Sequence, residues 1–233
     1  MASIANQLAD ALFNPCTAEE ADQRLVRIMI QCIRSHYRFV TIRTVDTEVL
    51  LHTISNRHHS ENFGSNVQVL FVTGITVKYY DTNDIAMQLG EDVCRGIPLF
   101  HALSGCDSVS SFFNHGKCKI WDRWHEFEDH DSLTKTFSEL SNTPEIITVQ
   151  QMQVIEKNII FFYYDKTSPL DIAYHRMNDF EHSTHSNLPF LPPCRAAMVE
   201  HIKRASYEGD WDASLCKRDI ELPDPKLYGR VFC

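Results

Sequence analysis

Glycine and proline are scarce in this chain, 8 and 9 of 233 residues, so neither a long disordered linker nor a low-complexity tract is expected. Long apolar runs are missing as well. The longest is Ile159 to Tyr164, far below the roughly 20 residues that cross a bilayer. Met1 to Asp10 carries neither the basic nor the apolar part of a secretion signal. The eight cysteines contain no Cys-x-x-Cys pair, which predicts reduced thiols in an intracellular setting, nucleus or cytoplasm not distinguished, and no membrane partner. Cations are the minority charge: 22 Lys and Arg against 31 Asp and Glu leave a formal net charge of −9. That balance excludes a protein that coats polyphosphate, because such affinity comes from cations that displace condensed counterions. Contact with DNA or RNA would need a local basic patch.

What is present is a core and a set of carboxylates. A hydrophobic fraction of 43% suffices for one compact unit. Thr17-Ala18-Glu19-Glu20 is a capping box, and Ala21, Leu25, Ile28, Met29, Cys32 and Ile33 repeat at helical spacing, which predicts a helix from about Ala18 to Ser35. Arg38 to Thr44 is β-branched and alternating and reads as a strand, with a short helix after it from Val49. Val67 to Thr73 and Ile75 to Tyr80 read as a hairpin or edge pair. Helical patterns follow over Asp84–Leu89, Ile97–Ser104, Lys117–Phe127, Ser132–Leu140, Pro144–Tyr163 and Pro192–Tyr207. Early strands and late helices predict an α/β fold: a small, mostly parallel sheet flanked by helices, then a helical C-terminal half. Gly209 to Cys233 reads as an irregular tail.

Three acidic groups punctuate this order: Glu19-Glu20-Ala21-Asp22 at a helix start, Asp46-Thr47-Glu48 at a strand end, and Asp107 after Gly105-Cys106. Each has a plain explanation. The glutamates complement a helix dipole, Asp46 makes an Asx turn, and Asp107 caps a helix. Together they are what a phosphodiester hydrolase requires, since hard divalent cations take oxygen ligands from separate segments. Lys117, Lys119 and Arg123 lie beside Trp121 and Trp124, which reads either as a solvated cationic face over an aromatic core or as the basic patch. A zinc site from His101, Cys106, His115 and Cys118 matches no standard spacing.

Glu-Glu-Ala-Asp opening a helix, a strand ending in Arg43-Thr44-Val45-Asp46-Thr47-Glu48, then Phe100 to Asp107 and Ser111 to Lys117, resemble the flap-endonuclease (XPG-type) branch of the PIN-like nucleases. The resemblance covers about Thr17 to Trp124. Within that superfamily the chain is similar to an expanded group of animal proteins, through Pro192-Pro193-Cys194-Arg195-Ala196-Ala197. The resemblance implies a PIN-like core over residues 1–130, a helical extension over 131–208 and a tail over 209–233. It implies Mg²⁺ or Mn²⁺ held by Glu20, Asp22, Asp46, Glu48 and Asp107. It makes Gly116 the turn residue of a duplex-gripping helix pair, with Lys117, Lys119 and Arg123 as phosphate contacts. The expected activity is hydrolysis of DNA or RNA phosphodiesters. Two departures accompany it: Glu48 replaces an aspartate, and the strand that carries the family's first aspartate has no counterpart in Met1 to Pro15. A catalytically inactive or truncated interaction module of the same fold is the alternative.

Overall fold

The computed structural model describes residues 21–58, 64–142, 147–164, 171–182 and 185–213. Contacts divide the chain into two compact units, Met1–Cys94 with Asp212–Ile220, and Arg95–Trp211 with Glu221–Cys233.

In the first unit, helix α1 (Ala21–Arg34) buries Val26, Met29, Ile30 and Ile33, an i, i+3, i+4, i+7 stripe that turns one face inward. His36, at φ 61, ends it in a left-handed cap. The Tyr37 amide donates to the Cys32 carbonyl and the His36 amide to that of Ile33, the pair of bonds that defines a Schellman motif. Strand β1 (Phe39–Thr44) starts two residues later. Helix α2 (Thr47–Ser55) then carries the chain back to β2 (Asn66–Thr73), which pairs with β1 in parallel. Gly74, at φ +58, and Ile75 turn β2 directly into β3 (Thr76–Asp81), and a two-residue link permits only antiparallel pairing.

The sheet is therefore mixed, in the order β1-β2-β3, rather than mostly parallel. Its core joins the α1 stripe to Ile42, Val49, Val67 and Val69. Asp81 caps helix α3 (Thr82–Leu89) by accepting from the Asn83 and Asp84 amides.

Helix α4 (Glu91–Ser104) contains Pro98, which cannot donate to the helical ladder. The next amide, Leu99, donates to the buried Ser141 hydroxyl at 3.2 Å. In the second unit, Trp124 of helix α5 (Lys117–Glu126) is fully buried. It stacks on Phe100, meets Phe137 of helix α6 (His130–Asn142), and donates its indole N–H to Thr134. Helix α7 (Val149–Tyr164) contributes Ile155, Ile159 and Phe162 to this core.

Helix α8 (Ile172–His182) and a 3₁₀ turn (His185–Phe190) were not expected from the sequence pattern. Helix α9 (Arg195–Ala213) runs past Gly209, into what read as an irregular tail. Gly209 is needed there: a Cβ would lie 3.0 Å from the Leu99 backbone of α4. The rest of that tail, and the Pro144 helix start, lie outside the described residues. Among the described residues the fold is α/β and mostly helical, and no helix is long and apolar enough to cross a membrane.

Candidate metal centre

The βαβ passage places the start of α2 at the carboxyl end of β1, where ligands gather in open α/β sheets. Asp46, at the junction, is extended; its carboxylate accepts the Glu48 amide at 2.8 Å, while its own amide donates to the Thr44 hydroxyl. Asp46 thus performs the Asx turn and N-cap that the plain reading assigned to it. Its capping fixes the first turn of α2 and so the place of Glu48.

Glu48 and His52 stand one turn apart on α2, four residues that put both side chains on one face. Asp22, in the first turn of α1, completes a group whose ligand atoms all lie within 4.8 Å of one another. The Asp22 carboxylate is divided between two tasks. One oxygen accepts the Gln23 amide at 2.7 Å, and the other lies 3.8 Å from His52 Nε2. His52 is buried, whereas Asp22 and Glu48 are half-buried, so the group opens on its carboxylate side.

Of the five residues expected to ligate metal, the structure brings Asp22 and Glu48 together. Asp46 lies outside the group because its carboxylate turns to the helix start. Asp107 belongs to the second unit, exposed in the loop after α4, and caps no helix, since the next one begins at Lys117. Glu20 lies outside the described residues. His52 is the member that carboxylate reasoning missed; the Glu-x-x-x-His spacing within a short helix was the available signal.

The donor set discriminates between cations. Two carboxylates and one imidazole suit Mn²⁺ or Zn²⁺ better than Mg²⁺, which prefers oxygen ligands in strict octahedral geometry. Ligand atoms about 2.1 Å from such an ion sit roughly 3.0 to 3.4 Å apart. The 3.8 Å between Asp22 and His52, in a group whose ligand atoms lie within 4.8 Å of one another, is wider than that, so the three side chains would have to draw together around an ion.

The residues expected to meet phosphate divide differently. Gly116 is the N-cap of α5 and makes no side-chain cap. The Lys117 ammonium shares its three N–H groups among four acceptors within reach, the carbonyls of His101 and Gly105, the Ser104 hydroxyl and His101 Nδ1, which closes the C-terminal end of α4. Arg123 pairs with Glu126 at 2.6 Å and lies over the Phe161 ring. Lys119 is exposed.

No family model matches the chain, and neither a curated protein nor a solved structure does.

Proposed function

We propose that the chain is a PIN-like, divalent-cation-dependent phosphodiester hydrolase acting on DNA or RNA, whose first unit binds the cation through Asp22, Glu48 and His52. The observation that carries this reading is the convergence of Asp22 and Glu48 from two separate segments on one buried imidazole. Capping and dipole effects account for each acid alone, but neither requires the two to meet.

In this reading Asp22 and Glu48 supply negative charge to the ion, and His52, buried on α2, fixes the direction of approach. The Gln23 amide holds the Asp22 carboxylate in place, the kind of outer hydrogen bond that tunes a ligand's orientation. A cation bound there would supply Lewis-acid stabilisation of charge on a phosphodiester. Lys119, exposed on α5, is the candidate for contact with the nucleic-acid backbone.

A second reading keeps the fold as an interaction module without catalysis. Its specific support is Asp46, the strand-end acid, which spends its carboxylate on a helix cap. Calorimetric titration with Mn²⁺, paired with cleavage of end-labelled single-stranded and flapped substrates, separates the two. Saturable binding and Mn²⁺-dependent cleavage, both lost in Asp22→Asn, are expected of the hydrolase. Binding without cleavage would leave the module, and no binding would remove the metal centre.

A further inference from the structure

The second unit holds a buried histidine that the metal centre does not use. His201, on α9, is 7% exposed. Its Nε2 lies 2.9 Å from the Leu103 carbonyl oxygen, and its Nδ1 lies 3.3 Å from Ser110 Oγ. A carbonyl oxygen can only accept, so Nε2 carries the proton. In the neutral ring Nδ1 is then a lone pair, and the Ser110 hydroxyl donates to it. Burial favours that neutral ring, with the Arg204 charge acting in the same direction and the Leu103 carbonyl opposing it.

Ser110 is exposed, yet its backbone is held on both sides. Val109 and Phe112 are buried, and the Phe112 ring meets the His201 imidazole with centroids 4.9 Å apart. Cys106 and Val109 exchange backbone hydrogen bonds of 3.0 and 3.3 Å, which closes the loop just before Ser110. The arrangement is an exposed hydroxyl on a fixed loop, against an imidazole whose far nitrogen is anchored. Those are the elements of an activated nucleophile: a base within hydrogen-bond reach, itself oriented by a third group.

We propose that Ser110 and His201 form a nucleophile and general-base dyad that hydrolyses small carboxylic esters, independently of any cation in the first unit. Ser110 Oγ forms a bond to the acyl carbon while His201 Nδ1 takes its proton. The carbon–oxygen bond to the alcohol then breaks, and Nδ1 returns the proton to the departing oxygen. Water adds to the acyl carbon in the second half, Nδ1 accepts its proton, and the bond to Oγ breaks as Oγ recovers that proton. The products are the acid and the alcohol, and the dyad is regenerated.

The probe is an alkyl fluorophosphonate, which bonds phosphorus to an activated serine oxygen and expels fluoride, the serine proton leaving through Nδ1. Full-length protein is expected to gain one adduct, mapped to Ser110 by peptide mass spectrometry and absent from Ser110→Ala. In His201→Gln the labelling rate should fall about 10²- to 10⁴-fold, the usual weight of a general base. No adduct on Ser110 in the folded parent, or an unchanged rate in His201→Gln, would overturn the dyad. Should His201→Gln fail to fold, Ser110→Cys gives the same decision. Its introduced thiol should be alkylated by iodoacetamide at least tenfold faster than Cys118 and Cys194, both exposed in the same chain, and equal rates would count against the dyad.

Discussion

Asp22 Oδ2 and His52 Nε2 face each other at 3.8 Å where α1 packs on α2. A carboxylate and an imidazole at that distance can share a cation, and a shared cation makes the stability of the fold depend on added metal. Mn²⁺ at about a hundredfold above its dissociation constant should stabilise the folded state by about 2.7 kcal/mol through mass action alone. Scanning fluorimetry should show the corresponding rise in Tm, and His52→Gln should abolish it. Asp46→Ala is the informative control: it should lower Tm through loss of the α2 cap, costing about 1 kcal/mol, while the Mn²⁺-induced rise persists. Loss of that rise in Asp46→Ala would return Asp46 to the ligand set.

Lys117 and Lys119 lie on one helix and should behave as different residues. The Lys117 ammonium reaches acceptors at the end of α4, among them the carbonyls of His101 and Gly105. Lys117→Met should therefore destabilise the protein in urea by about 1 kcal/mol, the scale of a cation satisfying a helix C-terminus. Lys119→Ala should leave the urea midpoint unchanged and flatten the salt dependence of DNA or RNA binding by about one unit of slope. The reverse assignment of the two effects would contradict the geometry.

What was legible in the sequence was whatever local pattern decides. The apolar stripe of α1, the β-branched run of β1 and the Gly74 break between two strand runs each act over a few residues, and each leads to the observed element, with Ile75 falling in the turn and not in the strand. Helix α8 escaped because its pattern is not the inward stripe of a packed helix: Tyr174, Met177 and Phe180 are exposed, and only Ile172 is buried. Its start is stabilised from a distance, by Glu156 of α7 accepting the Ile172 amide. The site divided in the same way. Asp22 and Glu48 were visible as acids at element ends, but His52 lies inside an apolar stretch where core is the ordinary reading. Lys117 read as a surface cation because its acceptors lie more than ten residues upstream.

Gly105 and Gly74 both have positive φ, but only Gly105 is also crowded. At Gly74, φ is +58 and nothing lies within 4 Å of an added Cβ, so Gly74→Ala should cost only the left-handed penalty of about 1 kcal/mol. At Gly105, φ is +107 and a Cβ would come within 2.5 Å of Ser111 Cβ and 2.7 Å of its Cα. Gly105→Ala should cost roughly 1 to 3 kcal/mol in backbone strain and a comparable amount in overpacking. Urea denaturation of both variants tests the order, and near-equal costs would show that the loop after α4 yields easily.

His201 should make the protein lose stability in mild acid. Burial, reinforced by the Arg204 charge, holds its folded-state pKa below the ordinary value, against the pull of the Leu103 carbonyl. The unfolded chain, with a histidine pKa near 6.5, therefore binds the proton more readily than the native state. Stability must then rise with pH between the two pKa values. This contribution is fully present above about pH 6.5 and is lost as the pH falls toward the folded-state pKa, with a slope of at most about 1.4 kcal/mol per pH unit for one proton. Urea midpoints from pH 5 to 7.5 should fall more steeply on the acid side in the parent than in His201→Gln, which keeps volume and an N–H donor but cannot titrate. Parallel curves would mean that the native state protonates His201 as easily as the unfolded chain does, and that burial does not set the charge of its imidazole.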